Sequence, residues 1–381
     1  MRITIKATGF AAILAAAAPT LAYSQDTAPV RAAPVDQRFD QFVPRETTST
    51  TKLDYGFWDD ALSFFVLRMG RSTREGASRP DPTIGTRRVY GHDSRYRLEG
   101  NRVLFDLVDD EAFTPLTEYR ADLERIATEI DIAQLPRNEQ LAFWLNLHNV
   151  AMVEQIAANY PVSSPGEIVI GDARTPLDTT PFITIRGVPM SLRDIRTRIV
   201  YPNWSDPRVF YGFFRGDIGG PSIRREAFTG QNVAQELNDS ADEFVNSLRG
   251  VEAYGGSLRV SALYEELAPF YFPNWNRDLH AHLAVYADDE VAELLAKYDT
   301  IELNQYNSDV ADLAKGEREP SYDYVEQTGN PTGLALSSSI RRLLQEREQK
   351  MEELRKEGRN FQIILLPTGE TPSEAASSEV E

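Results

Sequence analysis

There is no cysteine anywhere in the 381 residues. A chain without one cannot be held together by disulfides, so its stability has to come from a packed core. Hydrophobic residues make up 41% of the chain and aromatic residues 10%, which is enough to build a core at this length. The same lack removes thiol nucleophiles, thiol redox couples and cysteine-ligated zinc or iron–sulfur centres. Any site must be made from hydroxyls, carboxylates, amides, guanidinium groups and only four histidines.

The amino terminus narrows the setting. Arg2 and Lys6 precede an apolar run from Gly9 to Leu21, and small residues follow at Ala22 and Ser24. That is the pattern of a secretory signal peptide over residues 1–24, cleaved after Ser24. The run is broken by Pro19 and falls short of the roughly 20 apolar residues that span a bilayer. The expectation is a periplasmic or secreted protein with no membrane insertion after cleavage. With 40 Lys and Arg against 58 Asp and Glu, the formal charge is −18, a balance that repels nucleic acid and anionic membrane surfaces. Residues 25–52, rich in Pro, Ala and Thr, read as a flexible leader.

Helical spacing is clear over 115–131 and again after Pro136, where Leu141, Trp144, Leu145, His148, Met152 and Ile156 form one stripe. A further buried helix is expected over 57–68, followed by a long Arg-, Gly- and Pro-rich loop from Arg71 to Tyr96. Phe182–Ile185 and Val188–Met190 flank Arg186-Gly187 as a hairpin, and Ser191 with Asp194 has the spacing of a capping box. The apolar run Val209–Phe214 reads as a buried strand entering a turn-rich loop, Gly216–Ser222. Then come a helix over 232–248, a strand over 257–260 with Ser261 capping the next helix, a helix over 291–298 and a strand over 301–303. Helices alternating with short strands predict an α/β or α+β fold: a single mixed domain over 55–313, with a small central sheet flanked by helices. Residues 314–381 read as a solvated charged helix (337–357), a strand-like Phe361–Leu365 and an acidic tail.

Three motifs in this order resemble the family called domain of unknown function 547. Phe143-Trp144-Leu145-Asn146-Leu147-His148-Asn149 is similar to its Phe-Trp-Ile-Asn-x-Tyr-Asn helix. Ser191-Leu192-Arg193-Asp194-Ile195-Arg196-Thr197 is similar to its Ser-Leu-x-x-Ile-Glu-His segment. Asp206-Pro207-Arg208 leads, as in the family, toward a loop that ends here in Gly219-Gly220-Pro221-Ser222-Ile223. The resemblance implies the family's fold and the place of its site. It also exposes departures: Phe210 stands where the family usually has histidine, Arg215 and Gly220 at its two cysteine positions, and Arg196 and Thr197 at its Glu-His pair.

The candidate site therefore joins Asn146, His148 and Asn149 to the loop carrying Asp217, Gly219, Gly220, Ser222 and Arg224. Buried amides must be hydrogen-bonded, either to a ligand or to neighbouring backbone. His148, Asp217 and Ser222 are the candidate catalytic residues. Asn146, Asn149, Gly219, Gly220 and Arg224 are candidate ligand-binding groups, each with a structural reading as core amide, tight turn or salt bridge. His280 and His282 lie on opposite sides of an expected helix, so no metal site is assigned, and no cofactor is expected. Two functions follow. The leading one is a ligand-binding or interaction role for a small molecule or peptide in a degenerate, catalytic-like pocket. The rival is a hydrolase or transferase using Ser222 or an activated water with His148 and Asp217. A protein partner could instead be held through residues 337–365.

Overall fold

The computed structural model describes residues 36–82, 88–105, 110–171, 173–317 and 336–356, all within one compact unit that begins at Asp36. The expected signal peptide, the first part of the leader, Phe361–Leu365 and the acidic tail lie outside the described residues. In chain order the α-helices are α1 (Gly56–Phe65), α2 (Asp110–Glu129), α3 (Arg137–Ala158), α4 (Leu192–Asp194), α5 (Tyr201–Asn203), α6 (Val233–Val245), α7 (Tyr264–Tyr271), α8 (Trp275–Ala284), α9 (Asp289–Lys297) and α10 (Ser338–Lys356). The strands are β1 (Val66–Leu67), β2 (Arg102–Val103), β3 (Val169–Ile170), β4 (Thr175–Pro176), β5 (Ile183–Ile185), β6 (Val188–Met190), β7 (Val251–Tyr254), β8 (Ser257–Val260) and β9 (Ile301–Leu303). The class is α+β. The described strands are shared among three antiparallel pairs and one three-stranded sheet, in which β7–β8 is antiparallel and β8–β9 parallel.

The helix α3 is buried on nearly every side, from Glu139 to Ile156. An apolar stripe alone would bury one face, but Ala142, Phe143, Leu147, Val150 and Ala151 cover the others and carry no charge to keep them in water. Polar groups within this helix must then find partners inside the protein. Gln140 does so by donating to the carbonyls of Ala133 and Leu135, at 3.1 and 2.7 Å, which closes the turn before the helix.

The β5–β6 hairpin forms as the sequence indicates, with Arg186 and Gly187 both at positive φ, 49° and 77°, the geometry of a tight two-residue turn. Ser191 and Asp194 make the capping box that starts α4. Between α4 and α5 the chain is wound as a π-helix over Ile195–Val200, and Arg196 sits in it.

Two expectations are corrected. Val209–Phe214 is buried, but Pro207–Gly212 is a 3₁₀-helix and not a strand. The reason is local: the Asp206 side chain accepts from Arg208 N at 2.9 Å and Pro207 fixes the first turn, so the run coils before it can extend. An apolar run of this length does not by itself separate the two conformations.

The second correction concerns α10, which is not a solvated helix. Ile340, Leu343, Met351 and Leu354 are buried against the body. Glu346 receives two bonds from Arg97, at 2.7 and 2.8 Å, and Arg347 donates to the carbonyl of Arg68. Lys350 is only 4% exposed and its ammonium donates to the Leu98 carbonyl at 2.6 Å. Burial pushes its pKa down to about 8. The apolar side of the segment expected to meet a partner is thus occupied within the chain. Leu354→Ala should lower the unfolding free energy by about 2 to 5 kcal/mol in denaturant titration, whereas a solvated position would change it by about 0.5 or less.

Candidate functional site

The two asparagines of α3 work as backbone clamps. Asn146 donates to Phe228 O at 2.7 Å and accepts from Phe228 N at 3.0 Å, pairing with one peptide of the segment that precedes α6. Asn149 donates to Gly212 O at 2.9 Å and accepts from Phe214 N at 3.0 Å, fixing the exit of the 3₁₀-helix. Both amides thus pair with protein backbone through oxygen and nitrogen alike.

His148 is equally committed. It is wholly buried, and its Nε2 lies 3.0 Å from Nη1 of Arg196. A guanidinium can only donate, so Nε2 must be the unprotonated nitrogen. The ring proton therefore sits on Nδ1, which donates to Asn149 Oδ1 at 3.1 Å. Burial, then the charges of Arg196 and Arg215, hold the imidazole pKa well below its ordinary value. This histidine is neutral, and its lone pair is already in use.

Around it lies a buried ion cluster. Arg196, with no exposed surface, meets Asp178 at 2.9 Å and Glu266 at 2.9 Å. Arg215 reaches the same Glu266 at 3.1 Å, and Tyr201 donates to it at 3.3 Å. Burial alone would raise the two carboxylates, but the guanidinium pair outweighs it and holds both well below the carboxylate range. Arg196 and Arg215 stand where the family resemblance expects a glutamate and a cysteine, and the structure brings them onto one carboxylate beside His148.

The loop after the 3₁₀-helix is also internally satisfied. Gly219 N donates to Asn307 O at 2.9 Å and Gly220 N to Asp217 Oδ1 at 3.0 Å, so neither is free to bind an anion. A side chain at Gly219 would collide with the backbone of Asn307, which is why glycine is required there. Asp217, 8% exposed, also accepts from Tyr306 OH at 2.5 Å. Burial pushes its pKa up to about 7 against the pull of Tyr306 and Arg215. Ser222 Oγ accepts from Asn101 N and from Arg249 Nη2, both at 3.1 Å. Arg224 is paired with Glu236 of α6 at 2.5 Å. No hydrogen bond among the described residues joins any two of His148, Asp217 and Ser222; each has other partners, so the structure does not bring the three together.

What the sequence reading missed lies on the other side of Asp217. Tyr306, its hydrogen-bond donor, lines a cleft of about 420 Å³ formed by the loop Ser94–Tyr96, one face of β7 and β8, and residues 304–309. Glu252 and Arg259 are cross-strand partners on that sheet. Glu252 is 1% exposed and is held by Arg95 at 2.9 Å, by Tyr96 OH at 2.5 Å and by Asn304 at 2.7 Å. Tyr254 packs against the guanidinium groups of Arg95 and Arg259, each 5.3 Å from its ring centre. A second depression, of about 670 Å³, lies between Tyr201–Pro207 and Pro269–Tyr271. Its one cation, Arg137, is already engaged by the Asn203 carbonyl and stacks over Trp204.

His280 and His282 both lie on α8, and His282 is bonded to Tyr211 OH at 2.8 Å. No group of three potential ligands arranged for a metal ion exists among the described residues. Nor is any helix among them long and apolar enough to cross a membrane.

The site is thus a buried polar core of an α+β domain, with a separate solvent-facing cleft against its loop. The family model of a protein of unknown function, DUF547, matches residues 132–245, and over that stretch the chain is a member of the DUF547 family. No curated protein and no solved structure matches the chain. The matched stretch contains α3, the π-helix, the 3₁₀-helix and the glycine loop. Every lining residue of the 420 Å³ cleft lies outside it.

Asp217 yields a pH test. Its folded pKa, about 7, is above the ordinary value of 3.8, so between the two the folded state holds a proton that the unfolded state has lost. Stability should therefore fall as pH rises from about 4 to about 7, by roughly 3 to 4 kcal/mol from this group, and be flat above. Asp217→Asn, which mimics the protonated acid, should remove that slope and be more stable than the wild type at pH 8 but not at pH 4, measured by denaturant titration.

Proposed function

We propose that this chain is an exported, non-catalytic ligand-binding member of the family, whose ligand enters the cleft between Ser94–Tyr96, β7–β8 and residues 304–309. The observation that carries the reading is the Arg196–His148 contact: a general base needs a free lone pair, and this one is held by a guanidinium inside the core. Among the described residues the hydrogen bonds of Ser222 Oγ come from an arginine and a backbone amide, and none runs to a base. The rival hydrolase or transferase reading would require His148, Asp217 and Ser222 to leave their present partners. The cleft, by contrast, is open, of a size usual for small-molecule sites, and lined by polar groups converging from separate segments.

A thermal-shift panel of sugars, amino acids, organic acids and nucleotides tests this on the mature chain. Binding at ten times Kd contributes roughly 1.4 kcal/mol and should raise Tm by about 2 to 4 °C for at least one compound. The gain should persist in Arg224→Ala and be lost in Tyr254→Ala. Hydrolysis of ester, amide or phosphate substrates that disappears in Ser222→Ala would overturn the reading. Export has its own check: mass spectrometry of the protein recovered from the host's periplasm or medium should give Gln25 as the first residue, and a retained Met1 would refute it.

A further inference from the structure

The cleft contains one cation that the protein leaves almost unpaired. Arg259 sits on the middle strand of the three-stranded sheet, yet the carboxylate directly across from it, Glu252, is taken by Arg95, Tyr96 and Asn304. Its other neighbour, Glu302, approaches only to 3.8 Å, and the Arg259 guanidinium makes no hydrogen bond with any described residue. Its Nε is buried without an acceptor. A guanidinium is a five-donor fork that fits a carboxylate with two parallel bonds, and burying one of its donors without an acceptor is costly. Tyr254 holds this fork in place by stacking on it.

The rest of the wall decides what kind of carboxylate. At the mouth, Gln305, the amide nitrogen of Asn307 and Ser308 make no side-chain hydrogen bonds with described residues, while Asn304 is already used by Glu252 and Tyr96. These are groups suited to hydroxyls. A cleft lined by amides, hydroxyls and charges offers little to an apolar ligand. Charge narrows it further. Arg95 is matched by Glu252, and Lys315 is shared by Asp93 at 2.8 Å and Asp309 at 3.5 Å, so among the described residues Arg259, with only the loose and half-exposed Glu302 against it, is the one lining cation left to meet a negative charge. A dianion such as inorganic phosphate would meet those carboxylates in an already acidic protein.

Resting on the ligand-binding reading, we infer that the cleft binds a polyhydroxylated monocarboxylate, of the sugar-acid class, with its carboxylate on Arg259 and its hydroxyls on Gln305, Asn307 and Ser308. The family stretch does not supply these residues, so the specificity belongs to the flanking segments.

Isothermal titration calorimetry of the full mature chain with glucuronate, glucose, acetate and inorganic phosphate separates the possibilities. Glucuronate should bind at least about tenfold more tightly than glucose, which lacks the carboxylate, than acetate, which lacks the hydroxyls, and than phosphate. Arg259→Gln should weaken glucuronate by about tenfold or more, and Arg259→Lys should restore only part, since a lysine keeps the charge but not the fork. Arg224→Ala should bind as the wild type does. Because Arg259 makes only a loose ion pair, both of its variants should keep the wild-type circular-dichroism spectrum. Equal binding of glucose and glucuronate, or no effect of Arg259→Gln, would overturn the inference. If glucuronate fails while another compound of the thermal panel binds in a Tyr254-dependent way, the ligand class falls and the ligand-binding reading stands. If nothing binds at all, both fall.

Discussion

A guanidinium taken wholly out of water dictates what may surround it. Arg196 has no exposed surface, so its charge must be matched inside the protein, and the chain supplies Glu266 from α7 and Asp178 from the turn before the β5–β6 hairpin. Breaking such a pair by removing one partner typically costs about 3 to 5 kcal/mol, so these elements cannot separate cheaply. The donor left over by the carboxylates goes to His148, and with it goes the lone pair of that ring. One buried charge thus ties α7 to α3 and to the turn at Asp178, and sets which tautomer the histidine holds.

Much of this was legible from residue types and spacing. The stripe on α3, the Arg186-Gly187 turn and the Ser191–Asp194 box are local signals, set by residues within one turn of each other, and they appear as read. Asn146 and Asn149 were legible as buried amides that must bond to something, though the choice of Phe228, Gly212 and Phe214 is tertiary. Val209–Phe214 failed because a fully buried run has no period to show. The outcome was decided by Asp206 and Pro207 just before it. The α10 segment failed because its charges drew the eye. Four apolar residues and a lysine that extends through the interface make its inner face, and lysine's long apolar stem allows it to cross buried ground.

The cleft was invisible for a different reason. Its walls come from residues 94–96, 252–259 and 304–309, segments that share no motif and lie outside the family stretch. The one available clue was β8 itself, where Leu258 and Val260 alternate with Arg259 and so present it on the face away from the core. Tyr306 connects the two regions, lining the cleft with its ring and donating its hydroxyl to Asp217. The cleft is thus built wholly by the flanking segments and is tied to the family portion behind it through that one hydrogen bond.

The placement of α10 bears on how such a chain comes to be folded. Its Lys350 closes on the carbonyl of Leu98, and its Glu346 on Arg97, about 250 residues earlier in the chain. Ribosomes deliver segments in order, so the loop around Arg97 leaves the tunnel long before its cover does. Until then Arg102, buried with only backbone carbonyls as acceptors, stands beside a surface that nothing has sealed. The contacts of α10 with Arg97 and Leu98 can therefore form only after most of the chain has been made, so the cover of this region is the last part of the body to be put in place.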